Sequence, residues 1–371
     1  MKHLAVSLTV LAAGILLTVA GCTPASTPPP STTAPATPTK AAEPTKPTEP
    51  TKPTAQPTAA PTKQTTAPAK AASFPEKGRS ITLIAPFAAG GSTDIVARLV
   101  AAGMERDLGT PVQVVNVSAG SGQLGVTQMV QSKPDGYTMS IVSIPSTMAV
   151  YLDPERQSPW TRKDFTLVAE VASYPQVLQV KADSPFKTMR DVIDAAKAKP
   201  EQVTLAVGAL MSSNDVVAAM IEDAAGVKFR KVRTDGDAQN ITDLMGGHVD
   251  AAIDNLPPVI GPAKSNSVRV LGITSAQPSP FLPAAPTMVS QGYNVIAGSE
   301  SGLAVPLGTP KDVVDILSSS AKRAVEGSEF KNKSAELAVT PNYVNGPEWA
   351  PNWDRMEPVI KKIIEQARQQ R

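Results

Sequence analysis

Apolar runs and amphipathic segments alternate through most of the chain, and this alternation limits the possible folds more than any other feature. Ser80–Pro86 has the composition of a buried strand, and Ser92–Leu108 places Ile95, Leu99 and Met104 on one face of a helix. Similar segments predict strands near 112–117, 137–144, 203–207, 229–232, 251–254 and 268–274, and helices near 123–131, 188–198, 213–225, 237–246, 310–327 and 348–371. Such alternation predicts an α/β fold with mainly parallel sheets and ligands at the carboxyl ends of the strands.

The first 72 residues are predicted to lie outside this fold. They contain no Phe, Trp or Tyr, and residues 23–72 hold 13 Pro and 14 Thr in repeated Pro-Thr-Lys and Pro-Thr-Glu units. A segment of this composition buries too little apolar surface to offset its chain entropy. We therefore predict a Pro/Thr-rich disordered tether at 23–72 that carries a folded head.

Residues 1–22 have the pattern of a secretory signal. Lys2 and His3 precede the apolar stretch Leu4–Ala20, which ends in small residues. A membrane-spanning helix is the alternative, but the stretch is short for the roughly 20 apolar residues that a span needs. Val19-Ala20-Gly21-Cys22 resembles a lipobox. Residues 1–22 are thus predicted to be a lipoprotein signal peptide, with Cys22 acylated and the head extracytoplasmic, anchored to a bacterial cell membrane.

Composition excludes several functional classes. Cys22 is the single cysteine, which excludes an intramolecular disulfide and any multi-cysteine metal site. His3 and His248 are the two histidines, and we predict no metal and no cofactor. Residues 73–371 carry a net charge of −2, which argues against nucleic-acid binding because that needs a concentrated basic surface.

The loop at 86–94 joins the first predicted strand to the first predicted helix. Gly90 and Gly91 stand just before the first helical turn, where glycine lets backbone N–H groups approach a ligand. The helix N-terminus adds a partial positive charge, so the loop has the properties of an anion site without a basic side chain. An ordinary strand–helix turn with Ser92 as its cap is the equal alternative.

A second loop, 118–125, contains the spacing G-x-G-x-x-G at Gly120, Gly122 and Gly125. A dinucleotide fingerprint would have this spacing after the first strand, with an acidic residue at the end of the next strand. Here it follows the second strand, and Ser143 and Pro145 stand where the acid would be. We therefore interpret the loop, including Gly122, as a second glycine-lined wall of the same cleft.

A third loop, 208–214, supplies polar donors. Ser212, Ser213 and Asn214 are able to donate to carboxylate oxygens, although one of them is also expected to cap the following helix. Asp254 and Asn255 end a later strand and are expected either to orient a polar group of the ligand or to brace the hinge.

Catalytic arrangements are scarce. The chain has no G-x-S-x-G elbow, and no cysteine follows Cys22. His248 lies in a predicted turn and is interpreted as a surface residue in preference to a general base. Asp94 and Asp254 are a conceivable acid–base pair, but nothing in the sequence favours this pairing. We predict that the protein is not an enzyme.

Several motifs resemble those of the tripartite tricarboxylate transporter receptors, the Bug proteins. The opening motif Pro86–Arg98 is followed in family order by further matching segments, which are Gly120–Gly125, Pro134–Thr138, Asp243–Asp250, Leu282–Thr287 and Gly308–Pro310. The resemblance implies a two-lobed periplasmic binding protein of type II that closes on its ligand like a flytrap, with a mainly parallel sheet in each lobe. It places lobe 1 at 73–172 plus 275–371 and lobe 2 at 173–274.

The resemblance also implies a ligand site and partners. In one lobe the site residues would be Phe87, Ala88, Gly90, Gly91, Ser92, Thr93, Asp94 and Ser143, and in the other Ser212, Ser213, Asn214 and Asp254. The ligand would be a small carboxylate, and the partner a membrane permease of small and large subunits. The chain is expected to act as a monomer. A ligand-dependent sensing module on the same fold and, less favoured, a lipid-anchored hydrolase are the alternatives.

Two segments depart from the family pattern. Val232–Gly236 stands where the family commonly has a Pro-Tyr pair, and Gly298–Gly302 lacks the aromatic residue usual near that point. Both segments are expected close to the cleft, so the ligand is not necessarily one of the common acids. Arg233 is expected either to bind a second carboxylate or, as the favoured reading, to form a surface salt bridge.

Overall fold

The computed structural model describes residues 74–369, except for the side chains of residues 366, 367 and 369. The predicted signal peptide at 1–22, the acylation of Cys22 and the tether at 23–72 lie outside the described residues. Within 74–369, no helix combines the length and the apolar character needed to cross a membrane.

Strands and helices alternate along the described residues. The strands are β1 (Ile81–Ala85), β2 (Val112–Asn116), β3 (Thr138–Ile144), β4 (Phe165–Lys181), β5 (Thr204–Ala206), β6 (Arg230–Val232), β7 (Ala251–Asn255), β8 (Val268–Ile273), β9 (Gly298–Pro306) and β10 (Thr340–Asn345). The helices are α1 (Ser92–Leu108), α2 (Gln123–Val130), α3 (Ser146–Leu152), α4 (Met189–Ala198), α5 (Ser213–Ala225), α6 (Asp237–Met245), α7 (Leu256–Lys264), α8 (Lys311–Glu326), α9 (Ser328–Glu336) and α10 (Gly346–Gln369).

Local signals explain why many of these elements agree with the prediction. Helix α4 begins after a capping box in which Thr188 and Asp191 exchange side-chain and backbone hydrogen bonds. Helix α1 ends at Gly109, which adopts the left-handed conformation at φ 64°. Of the predicted face of α1, Met104 is fully buried, and Ile95 and Leu99 are partly buried and pack against the same core as Val96 and Val100.

The strands form a mixed sheet whose two halves share β4. In the first half the order is β2-β1-β3-β9-β4, and in the second it is β4-β7-β5-β6. The pairs β1–β2, β1–β3, β5–β6 and β5–β7 are parallel, whereas every pair that contains β4 or β9 is antiparallel. We call the half with β1, β2, β3, β9 and β10 the first lobe and the half with β5 to β8 the second lobe.

The long strand β4 was not predicted, and it joins the lobes. Its N-terminal part, Phe165–Pro175, pairs with β9, and Gln176–Lys181 pairs with β7 and β8. The two-lobed α/β fold is confirmed. The lobe boundaries stay predictions. Met288 and Val295, assigned to lobe 1 in the sequence, pack in the core of the second lobe with Leu205 and Ile253.

Candidate functional site

A small cavity of about 30 Å³ lies between the lobes. Its lining comes from loops at the carboxyl ends of parallel strands and from the crossing strands: Phe87, Ala88, Gly91, Ser92, Thr93, Ser143, Ser146, Tyr174, Ser212, Ser213, Asn214, Asp235, Gly236, Asp237, Ala238, Asn255 and Ser299. A cavity of this size holds only one or two water molecules. The lobes therefore lie too close together for a carboxylic acid to fit between them, and binding of a solute would require them to separate.

Four helices begin at this cavity. Ser92, Ser146, Ser213 and Asp237 are the first residues of α1, α3, α5 and α6, and all four line it. The first N–H groups of a helix have no intrahelical partner and carry partial positive charge. The N-cap of α1, Gly91, supplies no side-chain cap. The cavity therefore offers donors to an anion although its lining contains no Lys, Arg or His.

Hydrogen bonds across the cavity hold the lobes together. The backbone N–H of Ser92 donates to Asp237 Oδ2 at 3.2 Å, and Asn255 Nδ2 donates to Ser92 Oγ at 3.0 Å. At the other side, the Ser213 N–H donates to Ser146 Oγ at 3.2 Å. The groups that would contact a ligand thus contact each other in the closed cleft.

Asp237 is the centre of this arrangement. Besides the Ser92 N–H, its carboxylate accepts from Asn214 Nδ2 at 2.9 Å and from the backbone N–H and Nδ2 of Asn255 at 3.1–3.3 Å. Its exposed fraction is 6%. Among residues 74–369, no basic side chain forms an ion pair with it. Asp237 therefore lies as an internal anion at the N-terminus of α1.

Most of the residues predicted from the sequence line the cavity. They are Phe87, Ala88, Gly91, Ser92, Thr93, Ser143, Ser212, Ser213 and Asn214. Gly90, Asp94, Gly122 and Asp254 are not part of the lining. Asp94, Gly122 and Asp254 lie behind the walls of the cavity, whereas Gly90 is exposed and donates its N–H to Asp94.

Asp94 braces the first loop from behind. Its carboxylate accepts from the Gly90 N–H at 2.9 Å, from Arg98 Nε at 3.0 Å and from Asn116 Nδ2 at 3.0 Å. Burial pushes the pKa of Asp94 upward, but these donors outweigh it and hold the pKa below its ordinary value. Asp94 is therefore ionised and already paired.

Gly122 supports the same loop by close packing. It has φ 88°, and a Cβ placed on it would lie 3.3 Å from the Phe87 ring. Gly125, the last glycine of the G-x-G-x-x-G spacing, would place a Cβ 2.8 Å from Pro86 Cβ. The glycines of the second loop thus allow it to pack against the first loop.

Asp254 does not line the cavity, but the next residue, Asn255, does. It is completely buried and accepts from Gln179 Nε2 at 2.7 Å and Asn240 Nδ2 at 2.8 Å. Burial, with the nearby charge of Asp237, raises its pKa well above the ordinary value. Its neighbour Asn255 is the residue that reaches the cavity, since successive side chains of a strand point to opposite faces.

Sequence reasoning missed part of the lining. Ser146, Tyr174, Asp237 and Ala238 were missed, Asn255 was named only together with Asp254 at the end of its strand, and Asp235, Gly236 and Ser299 lie in the two segments that were expected close to the cleft. The loop at 235–238 follows the parallel strand β6, so the rule that selected the first and third loops would also have selected it. No local signal marks Tyr174, which comes from the crossing strand β4.

Two further candidates lie away from the cavity lining. Arg233 Nη1 pairs with Asp215 Oδ1 at 2.7 Å, which is the favoured salt-bridge reading of this residue. His248 is exposed just after α6. Within the described part of the chain, no group of His, Cys, Asp and Glu residues is arranged to hold a metal ion.

Comparisons with known proteins agree with this geometry. A family model described as "Tripartite tricarboxylate transporter family receptor" matches residues 96–364. Protein BugT of Bordetella pertussis is 30% identical over 265 residues, which cover 71% of this chain and 81% of BugT. The structure of the periplasmic binding protein BugD is 26% identical with a TM-score of 0.73, covering 78% of this chain and 97% of that one. The R. palustris protein Rpa4515, solved with adipate, is 27% identical with a TM-score of 0.70, covering 78% and 95%.

Proposed function

Because the chain belongs to the tripartite tricarboxylate transporter receptor family, we propose that it captures a small carboxylate outside the cytoplasm and delivers it to a membrane permease. One observation carries the ligand class: the N-termini of α1, α5 and α6 converge on a cavity whose lining has no basic side chain. Backbone N–H groups and Ser, Thr and Asn side chains suit carboxylate oxygens.

The relatives support the same class of ligand. Rpa4515 has been solved with adipate, a small dicarboxylate. The family consists of receptors, so the protein is proposed to bind and release its ligand without turnover. The permease partner comes from the family relationship, and the closed cleft between the lobes supports a ligand-bound form that differs in shape from the open one.

The predicted N-terminal segments give the receptor its place at the membrane. We propose that Cys22 is acylated and that residues 23–72 connect it to the head. Fifty residues span roughly 150 Å as polyproline II and about 40 Å as a flexible coil, so either form lets the head reach a permease. Mass spectrometry of the mature protein checks the acylation, which an unmodified Cys22 would disprove.

A ligand panel tests the binding function. Mono-, di- and tricarboxylates are compared in thermal unfolding of the full chain, since a ligand that binds only the folded state raises its stability. The Gly91→Val variant is expected to lose the stabilisation by the best ligand, because Gly91 lines the cavity and the added methyl groups would enter it. The control is Gly261→Val on the exposed side of α7, where a Cβ meets nothing within 4 Å.

Two outcomes would contradict this proposal. If no carboxylate shifts the unfolding of the unmodified chain, the ligand class is wrong. If Gly91→Val and Gly261→Val respond equally to the best ligand, the cavity is not where the ligand binds. Deletion of the permease separates uptake from sensing, since a sensing module would keep its response to the ligand.

A further inference from the structure

We propose that the ligand of this cleft carries an ammonium group beside its carboxylate, and that Asp237 binds that cation. The inference rests on the proposed function and narrows its ligand class from small carboxylates to zwitterions such as amino acids. It starts from the position of Asp237, a carboxylate in the middle of an otherwise donor-rich cavity.

A buried carboxylate without a cation is costly. Asp237 is almost completely buried, and its partners are amide groups of Asn214, Asn255 and Ser92. Hydrogen bonds from neutral groups offset part of the desolvation cost, whereas an opposite charge would offset more. No basic side chain of residues 74–369 pairs with Asp237, so a ligand is the available source of that charge.

The surroundings of Asp237 strengthen the need for a cation. Asp235 also lines the cavity, and Asp254 lies close behind it. A plain dianion would bring two more negative charges towards the exposed Asp235 and the buried Asp237, and like charges repel strongly at the buried carboxylate, where water is excluded. A zwitterion brings its own positive charge and meets no such net repulsion.

The contact between Ser92 and Asp237 joins a hydrogen-bond donor at a helix N-terminus, which is partly positive, to a negative carboxylate. A zwitterion carries the same two kinds of charge. In the closed cleft the Ser92 N–H at the start of α1 faces the Asp237 carboxylate at 3.2 Å. When the lobes open, both groups lose this partner. A ligand carboxylate then accepts from the N-terminus of α1, and the ligand ammonium donates to Asp237, so both groups regain a partner in the loaded cleft.

A simpler role for Asp237 is available. It is the first residue of α6, where an acidic side chain stabilises the helix by its charge. In that case the carboxylate would not contribute to ligand choice. The two roles differ in ligand preference, because stabilisation of the helix does not depend on whether the ligand carries an ammonium group.

The inference is tested with pairs of ligands that have the same carbon chain and carboxylates. Isothermal titration calorimetry on the full chain compares L-alanine with propanoate, L-glutamate with glutarate, and 4-aminobutanoate with butanoate. Each pair differs only by an ammonium group. We expect at least one amino member to bind about tenfold or more tightly than its partner, as for a buried charge pair. Asp237→Asn should abolish most of that preference, whereas Asp243→Asn, the same change on an exposed part of α6, should keep it.

The outcomes separate the inference from the proposed function. If the acids without an ammonium group bind the unmodified chain as tightly as their amino partners, the inference is wrong and carboxylate capture stands. An unchanged preference in Asp237→Asn also overturns it. If neither member of any pair binds, nor any acid of the carboxylate panel, the proposed function fails with it. The preference of the unmodified chain decides the question even if the variant does not fold.

Discussion

The two walls of the cleft differ in their chemistry. The first-lobe wall, with Phe87, Ala88, Gly91, Ser92, Thr93, Ser143 and Ser146, contains no ionisable side chain. The second-lobe wall contains Asp235 and Asp237 beside its Ser and Asn donors. A wall of neutral donors favours any anion, whereas a wall with both donors and acids discriminates between anions. The first lobe therefore suits binding of the carboxylate, and the second lobe suits selection of the ligand.

The residues that pack behind the two walls also differ between the lobes. Behind the first wall the loops pack closely through Gly122 and Gly125. Behind the second wall lies a buried polar network in which Asn240 connects the backbone of Gly208, in the loop after β5, and the backbone of β7 to Asp254. A buried polar network is rigid when all of its groups are paired and costly when one partner is removed. The second lobe should therefore be the more sensitive to polar substitutions.

The largest effect is expected for Asn240→Leu, which keeps the number and branching of the side-chain heavy atoms but removes every hydrogen bond of the side chain. It leaves the Gly208 N–H, the Ile253 carbonyl and Asp254 without this partner. We expect a loss of about 3–5 kcal/mol in the free energy of unfolding, measured by urea titration.

The matched change in the first lobe is Ser140→Ala, at a side chain that is also fully buried and donates to the Ile141 carbonyl at 2.9 Å. Its expected loss is about 1 kcal/mol, because a single neutral hydrogen bond is removed. Equal losses of unfolding free energy in the two variants would mean that the two lobes do not differ in their sensitivity to polar substitutions.

A smaller effect is expected for the buried acid of the first lobe. Burial, with the charge of Glu300, raises the pKa of Glu170 to about 7. The folded state then keeps a proton that the unfolded state loses near its ordinary pKa of 4.5. The stability contributed by this proton is present below pH 4.5 and is lost as the pH rises towards 7.

Glu170→Gln keeps an oxygen to accept from Asn342 Nδ2 and removes the titration. We expect it to stabilise the chain by about 2 kcal/mol at pH 8 and to change little at pH 4, as measured by urea unfolding across this range. Glu326→Gln on the exposed part of α8 serves as the control and should not change the pH profile. A variant that lost stability at pH 8 would contradict the assigned cause.

The smallest effect is expected at a contact between the lobes. Arg156 donates to the Gly120 carbonyl and Ser121 Oγ in the first lobe and to the Leu210 carbonyl in the second. Arg156→Ala should destabilise the closed form of the cleft by about 1–2 kcal/mol, since a charged donor is lost.

Small-angle scattering of the ligand-free protein should show a larger radius of gyration for Arg156→Ala than for the unmodified chain. Saturating ligand should restore the compact form. Arg190→Ala, on the exposed side of α4, is the control. Scattering curves that coincide for both variants would show that this contact does not hold the cleft closed.

Local signals in the sequence were enough for much of the fold. The bounds of α1 and α5 agree with the prediction because a glycine in the left-handed conformation follows each helix and Ser212 caps the second. The loops that leave β1 and β5 were found because parallel strands bring their carboxyl ends to one edge. These inferences depend on residues close together in the chain, whereas the type of ligand came from the resemblance to the receptor family.

Tertiary structure decided the rest. The strand β4 spans both lobes, and its apolar sequence does not show that its two parts join different partners. Asp254 and Asn255 are adjacent, and only the register of β7 determines which of them reaches the cavity. Asp237 meets Ser92 across 145 positions of sequence. The sequence by itself determined many of the secondary elements and the donor-rich loops, because these depend on neighbouring residues, whereas β4, β9, β10, α3, α7 and α9 were not predicted. The acid that faces those donors was decided by the packing of the two lobes, because side chains so far apart in the chain meet only when the fold is complete.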